Sequence, residues 1–228
     1  MIKANDMAVL VLHGFNSCSK DVKILSDYLK DRGIYTISPT LAGIKGTKKE
    51  WNTTTWRDWI SNAEKEFIHL KQNFKRVAII GFSMGGLVAL YLTCNYGADV
   101  LATVNTPIYC ADIRKVLGNI KRCIRKRSYD PLKYYYRVIN ETPFWGAIHL
   151  SLGLSECIPL VEKIKTPLLV IQGLKDEAVR WKSADYLFCR SASPWKKKIY
   201  YRNANHFIFD GEEKEDVCQE IFHYLMQV

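Results

Sequence analysis

What this sequence lacks narrows its reading before any motif is considered. No run of about eighteen apolar residues occurs along the chain, so no segment is expected to cross a membrane. The opening Met1-Ile2-Lys3-Ala4-Asn5-Asp6 has no long apolar region of the kind that marks a secretory signal. Seven cysteines are present, but their number is odd, their spacing is wide and no C-x-x-C pair occurs. Neither a disulfide framework nor a zinc site is expected from that pattern. Scattered reduced thiols suit a cytoplasmic protein instead. There is no internal repeat and no low-complexity linker. The 228 residues therefore suit one domain with a sizeable core and room for an insertion. Acidic residues are the scarcer charge, 23 against 33 Lys and Arg, for a net charge of +10. An excess of that sign suits an anionic membrane, a nucleic acid, an acidic substrate or a plain solvated surface.

What is present is organised around Val77-Ala78-Ile79-Ile80-Gly81-Phe82-Ser83-Met84-Gly85-Gly86-Leu87-Val88-Ala89-Leu90. Four apolar residues run into Gly81 as a buried strand, and Leu87, Val88, Leu90 and Tyr91 recur at helical spacing. Between them Gly81-Phe82-Ser83-Met84-Gly85 forms G-x-S-x-G. A serine on such a strand-to-helix turn projects its hydroxyl from the sheet. Gly81 and Gly85 let the two backbones pass where a Cβ would collide. The following helix supplies free N–H groups and a positive dipole end.

Around this turn, strands alternate with helices. Met7 to Leu12 reads as a strand buried on both faces and runs into His13-Gly14-Phe15. Asp21 to Asp31 reads as a helix ending before Gly33, and Ile34 to Ser38 as a strand stopped by Pro39. Thr55 and Asp58 form a capping signal before a helix whose apolar face is Trp56, Trp59, Ile60, Ala63, Phe67 and Leu70. Asp99 to Val104 is a further strand. The rhythm then breaks over residues 107–165, which are helix-like, aromatic and basic. Residues 107–140 hold nine Lys or Arg against Asp112 and Asp130, giving +7 of the total charge. This span reads as a small helical cap over the carboxyl edge of the sheet, with residues 1–106 and 166–228 forming the core. Its apolar side is expected to roof a pocket and its charges to face water. Pro167 to Gln172 and Lys198 to Tyr201 restore the sheet, Trp181 to Arg190 reads as a helix, and an amphipathic helix from about Glu213 to Met226 closes the chain.

A serine hydroxyl needs a base, and the base needs an orienting carboxylate. Loops at the carboxyl edge of a parallel sheet offer Ser83, then Asp176, then His206. Glu177, Asp185 and Asp210 are less well placed as the acid, and Asp210 is expected to fix its loop or cap the last helix. His13 precedes the serine and reads as a structural group holding its loop. His69 and His223 lie on helices, and His149, in the cap, reads as a surface or packing residue ahead of the alternative of a substrate contact. The backbone N–H groups of Phe15 and Met84 are the two oxyanion donors this arrangement would use.

With these pieces in hand, the chain resembles the α/β-hydrolase superfamily, and within it the small bacterial carboxylesterases and monoacylglycerol lipases. The matching residues are His13-Gly14-Phe15, Gly81 to Gly86, Asp176-Glu177-Ala178-Val179 and His206, spread over nearly the whole length. One departure is Asn205, where many relatives carry glycine before the histidine; Asn tolerates a left-handed backbone, so the turn is expected to survive. The resemblance implies an α/β fold with a mostly parallel sheet and a helical cap. It also implies hydrolysis of short- to medium-chain carboxylic esters through an acyl-enzyme, with no metal and no cofactor. The expected partner is a small-molecule ester with an apolar acyl chain. A monoacylglycerol lipase touching anionic membrane weakly through the basic cap is the first alternative. A non-catalytic binding protein is the second. Nucleic acid is not expected, because the basic span carries no motif for it.

Overall fold

In the computed structural model, residues 6–15, 17–41, 54–109 and 144–228 are described. Their strands are β1 (Met7–Leu12), β2 (Tyr35–Ile37), β3 (Arg76–Phe82), β4 (Val100–Val104), β5 (Leu168–Gly173) and β6 (Lys196–Tyr201). They form one sheet in the order β2-β1-β3-β4-β5-β6, and every pairing is parallel. The helices are α1 (Lys23–Lys30), α2 (Trp56–Asn73), α3 (Met84–Tyr96), α4 (Phe144–Cys157), α5 (Lys182–Arg190) and α6 (Lys214–Gln227).

Parallel strands need helical cover on both faces, and the alternation along each strand supplies two separate cores. Ala8, Leu10, Leu12, Val77 and Ile79 face Trp59, Phe67 and Leu70 of α2, Leu87 and Leu90 of α3, and Leu187 of α5. Met7, Val9, Val11, Ala78 and Ile80 face Leu25 and Leu29 of α1, and Val217 and Ile221 of α6. The strand edges are managed by length and charge: β2 is three residues long, and β6 carries Lys196, Lys197 and Lys198.

The capping signal before α2 forms in full. The Asp58 amide donates to Thr55 Oγ1 at 3.3 Å, and the Thr55 amide donates to Asp58 Oδ2 at 2.8 Å. All six apolar residues read from the α2 periodicity are buried. Several elements differ from their sequence bounds by a residue or two, the last strand beginning at Lys196 rather than Lys198, and two of the differences have a visible cause. The helix expected over Asp21–Asp31 divides into a 3-10 turn, Ser19–Val22, and α1, because Val22 at φ −113°, ψ 10° leaves the helical range and no side chain caps it. The strand expected over Ile34–Ser38 is shorter, since only Tyr35, Thr36 and Ile37 find partners on β1. Ser38 still reaches β1, through Oγ donating to the Val11 carbonyl at 3.1 Å.

Of the 107–165 span expected as a cap, residues 110–143 lie outside the described residues. The described end is α4, which lies along α2 and α3 and completes the helical layer on that face. Trp56 Nε1 donates to Glu156 at 3.2 Å, Arg57 pairs with the same carboxylate, and the Cys157 thiol donates to the Leu87 carbonyl at 3.2 Å. No described helix is long and apolar enough to cross a membrane.

Candidate active site

β3 delivers Ser83 to the carboxyl edge of the sheet, and α3 starts at the next residue. Ser83 has φ 53° and ψ −124°, a conformation that non-glycine residues rarely adopt and that needs surrounding structure to hold it. That support is visible. The Ser83 amide donates to the Val104 carbonyl at 2.8 Å, and the Gly86 amide donates to the Ser83 carbonyl at 2.9 Å. A Cβ on Gly81 would overlap the backbone of Gly85 and Gly86, and one on Gly85 would lie 2.6 Å from the His13 carbonyl oxygen. Only glycine allows strand, turn and helix to stack this closely.

The turn after β1 comes directly against the serine. A Cβ built on Gly14 would sit 3.0 Å from Ser83 Cβ. Phe15 follows it and packs edge-on to Trp59, ring centroids 5.9 Å apart. Met84, at the first position of α3, is fully buried. The turn is fixed from behind by His13. Its Nδ1 donates to the Gly14 carbonyl at 2.9 Å, and its Nε2 accepts the Leu41 amide at 3.0 Å. One nitrogen donating and one accepting is the neutral imidazole, and burial pushes the His13 pKa down, in agreement.

Asp176 follows β5, and His206 follows β6. His206 Nδ1 donates to Asp176 Oδ2 at 2.8 Å, which leaves Nε2 as the accepting nitrogen. The Asp176 side chain is fully buried and that of His206 is 13 % exposed. Asp176 Oδ1 accepts the amides of Ala178 and Val179, both at 2.8 Å, and Gln172 Nε2 donates to Oδ2 at 3.3 Å. The carboxylate is therefore held from four directions. The imidazole ring lies 5.3 Å from the ring of Phe82, the residue before Ser83. Serine, histidine and aspartate thus stand at one edge of the sheet, the last two hydrogen-bonded. A histidine held by a carboxylate can take a proton from a nearby hydroxyl, and the donors at a helix start can hold a negative oxygen.

Sequence reading missed the residue that ties these loops together. Asn105 stands at the end of β4 with φ 47° and is fully buried. Its Nδ2 donates to the carbonyls of Asn205 at 3.1 Å and His206 at 2.9 Å, and its Oδ1 accepts the Gly173 amide at 2.8 Å. An asparagine directly after an apolar strand was the available signal, since Asn is among the few side chains that accept positive φ. Asn205 itself does not take a left-handed conformation: Ser83 and Asn105 are the non-glycine residues with positive φ among those described. Instead Asn205 Oδ1 accepts the Phe207 amide at 2.9 Å and shapes the turn through its side chain. Asp210 does not cap α6, whose first turn follows Glu213 with no side-chain cap. His69 and His223 are exposed on their helices, while His149 is buried. Among the described residues no three His, Cys, Asp or Glu side chains gather as metal ligands.

The chain is similar to several known proteins. A carboxylesterase of Bacillus subtilis is 24% identical over 230 residues, covering 98% of this chain and 94% of the relative. A thermostable monoacylglycerol lipase of a Bacillus species is 24% identical over 211 residues, covering 88% and 82%. Among solved structures, one from work on two metagenome-derived lipolytic enzymes superposes with a TM-score of 0.82 at 16% identity, covering 98% of this chain and 95% of that one. A monoglyceride lipase of Saccharomyces cerevisiae superposes with a TM-score of 0.74 at 18% identity, covering 96% and 86%. The family model described as alpha/beta hydrolase fold matches residues 8–122, from β1 through the serine turn and beyond β4. The chain therefore belongs to the α/β-hydrolase fold family.

Proposed function

We propose that the protein is a serine hydrolase that cleaves carboxylic esters through an acyl-enzyme. The observation that carries this reading is the juxtaposition of a strained Ser83 on its glycine-flanked turn with the His206–Asp176 pair at the same sheet edge. In this reading Ser83 attacks the ester carbonyl and His206 Nε2 takes its proton. The imidazolium then passes that proton to the leaving alcohol. Asp176 keeps the proton of Nδ1 in place and stabilises the charged ring. The amides of Phe15 and Met84 donate to the oxyanion, and water activated by His206 releases the acid. The carboxylesterase and lipase relatives support ester chemistry.

The acyl part is proposed to be of short to medium length and apolar. The protein is proposed to work in the cytoplasm, with no cofactor. Action on monoacylglycerols at a lipid surface is the second reading, favoured by the lipase relative and by the charge of residues 107–140. A p-nitrophenyl ester series from acetate to laurate tests the main reading. Each methylene that enters an apolar pocket raises kcat/KM by up to about fourfold until the pocket is full. Ser83→Ala should remove the activity across the series. Activity that survives Ser83→Ala, or that falls steadily from acetate onwards, contradicts the nucleophile or the acyl pocket respectively.

A further inference from the structure

Besides His13, which holds the turn after β1, His149 is a buried histidine to which the proposed mechanism gives no role. It is only 9 % exposed, and neither Nδ1 nor Nε2 has a hydrogen-bond partner among the described residues. A neutral imidazole carries one donor and one acceptor, and burying both unpaired is costly. Its close aromatic neighbour, Trp145, meets it edge-on with ring centroids 5.2 Å apart, which satisfies neither nitrogen.

The position of His149 follows from how α4 packs. Trp145, His149 and Gly153 are four residues apart and share one helix face. At the lower end of that face, a Cβ on Gly153 would touch the Trp56 ring at 2.8 Å. Trp56 packs on Trp59 at 6.2 Å, and Trp59 packs on Phe15 of the turn beside the serine. A chain of ring contacts therefore links that face of α4 to the turn beside the serine. The height of that face follows from two contacts with α3. The Cys157 thiol reaches the Leu87 carbonyl, and further along, the Cys94 thiol reaches the Leu160 carbonyl. Leu160 lies just past α4, in the 3-10 helix Ile158–Lys163, so the chain through the end of α4 runs in the direction of α3. From Cys157 back to His149 is about 12 Å of helix, while from Leu87 back to Ser83 is about 6 Å. His149 is carried to the level of Ser83 or beyond it, on a neighbouring helix whose axis lies about 8–10 Å away. Trp56 opens α2, so above Gly153 the face passes the start of that helix. Trp145, at its outer end, is 46 % exposed.

We infer that His149 is a substrate-recognition residue whose ring nitrogens hydrogen-bond a hydroxyl group carried by the ester, so that the site selects hydroxyl-bearing esters over plain alkyl esters. This rests on the proposed ester hydrolysis at Ser83. A hydroxyl both donates and accepts, matching the one donor and one acceptor of a neutral imidazole, and no described residue competes for either nitrogen. A site built to bind a hydroxyl discriminates strongly against the analogue without it, because its own polar group is then left unpaired.

The test compares glycerol 1-octanoate with methyl octanoate, which share an acyl chain and differ in the hydroxyls. The wild type should favour the glycerol ester in kcat/KM, and His149→Leu should lower that ratio by about tenfold, the effect of one lost hydrogen bond to a buried group. His149→Gln, which keeps a donor and an acceptor, should keep most of the ratio. His149→Phe reads the same ratio where the leucine variant does not accumulate. Labelling of Ser83 by a fluorophosphonate in each variant reports an intact site. A ratio within twofold of wild type in His149→Leu or His149→Phe overturns the assignment of His149 while leaving the esterase reading standing. A wild type that cleaves neither ester and takes no label removes the esterase reading, and this inference with it.

Discussion

Asp176 meets the imidazole of His206 through Oδ2 and two backbone amides through Oδ1, so its geometry is fixed before any substrate arrives. Replacing it by asparagine removes the charge that stabilises the imidazolium and permits the wrong tautomer. By analogy with serine proteases, Asp176→Asn should lower kcat by about 10⁴-fold with the fold retained. Near-normal turnover in that variant would assign the acid elsewhere. Asn105 acts one step further out, as a positioning residue. Asn105→Asp replaces the amide that donates to two carbonyls with an oxygen that repels them. It should lower kcat by about 10²-fold, as a misplacement of about 1 Å does, while KM changes little. A variant that raises KM alone would place Asn105 in substrate binding instead. His13 makes a prediction about stability. Burial holds its pKa below the ordinary histidine value, so the unfolded chain binds more protons than the folded one between those two values. Stability from this group is therefore complete above about pH 6.5 and is lost as pH falls below it. Denaturant melts of wild type and His13→Asn at pH 8 and pH 5 should show the wild type losing more stability between the two. Equal losses would mean that His13 is not buried neutral.

Among the elements, the strand–turn–helix unit and the capped helix were the most legible in the sequence. Val77 to Ile80 running into Gly81, and the six apolar residues of α2, carry period and punctuation together. The Thr55–Asp58 cap is local, so its sequence signal is complete. Thr55→Ala should cost about 1 kcal/mol, a fall in melting temperature of about 2–4 °C. Calorimetry showing no change would put the start of α2 under other control. Asn105 and the packing of α4 were not legible for the opposite reason. Asn105 bonds to Asn205 and His206 a hundred residues away, and Cys157 reaches Leu87 across helices. No local period encodes such pairings. His149 shows the same limit: its sequence position left a substrate contact open but favoured packing or surface, and burial with two nitrogens lacking partners among the described residues appears only in three dimensions.

Across the whole molecule, the parallel sheet gathers three loops, widely separated in sequence, at one edge. β3, β5 and β6 end on the same side, and the order β3-β4-β5-β6 spaces Ser83, Asp176 and His206 across it. Charge is distributed just as unevenly, with +7 of the +10 carried by residues 107–140. If that excess meets lipid, sedimentation with anionic vesicles should be strong at low salt and weak at high salt. No binding at low salt would leave action away from a membrane surface. The central claim remains that Ser83 is the nucleophile of a site assembled by this topology. Treatment with a fluorophosphonate, followed by intact mass and peptide mapping, tests it most directly. The account predicts a single adduct on Ser83, absent from Ser83→Ala, whose melting temperature stays close to that of the wild type. An adduct that persists in Ser83→Ala, or a folded wild type that takes no label, would contradict it.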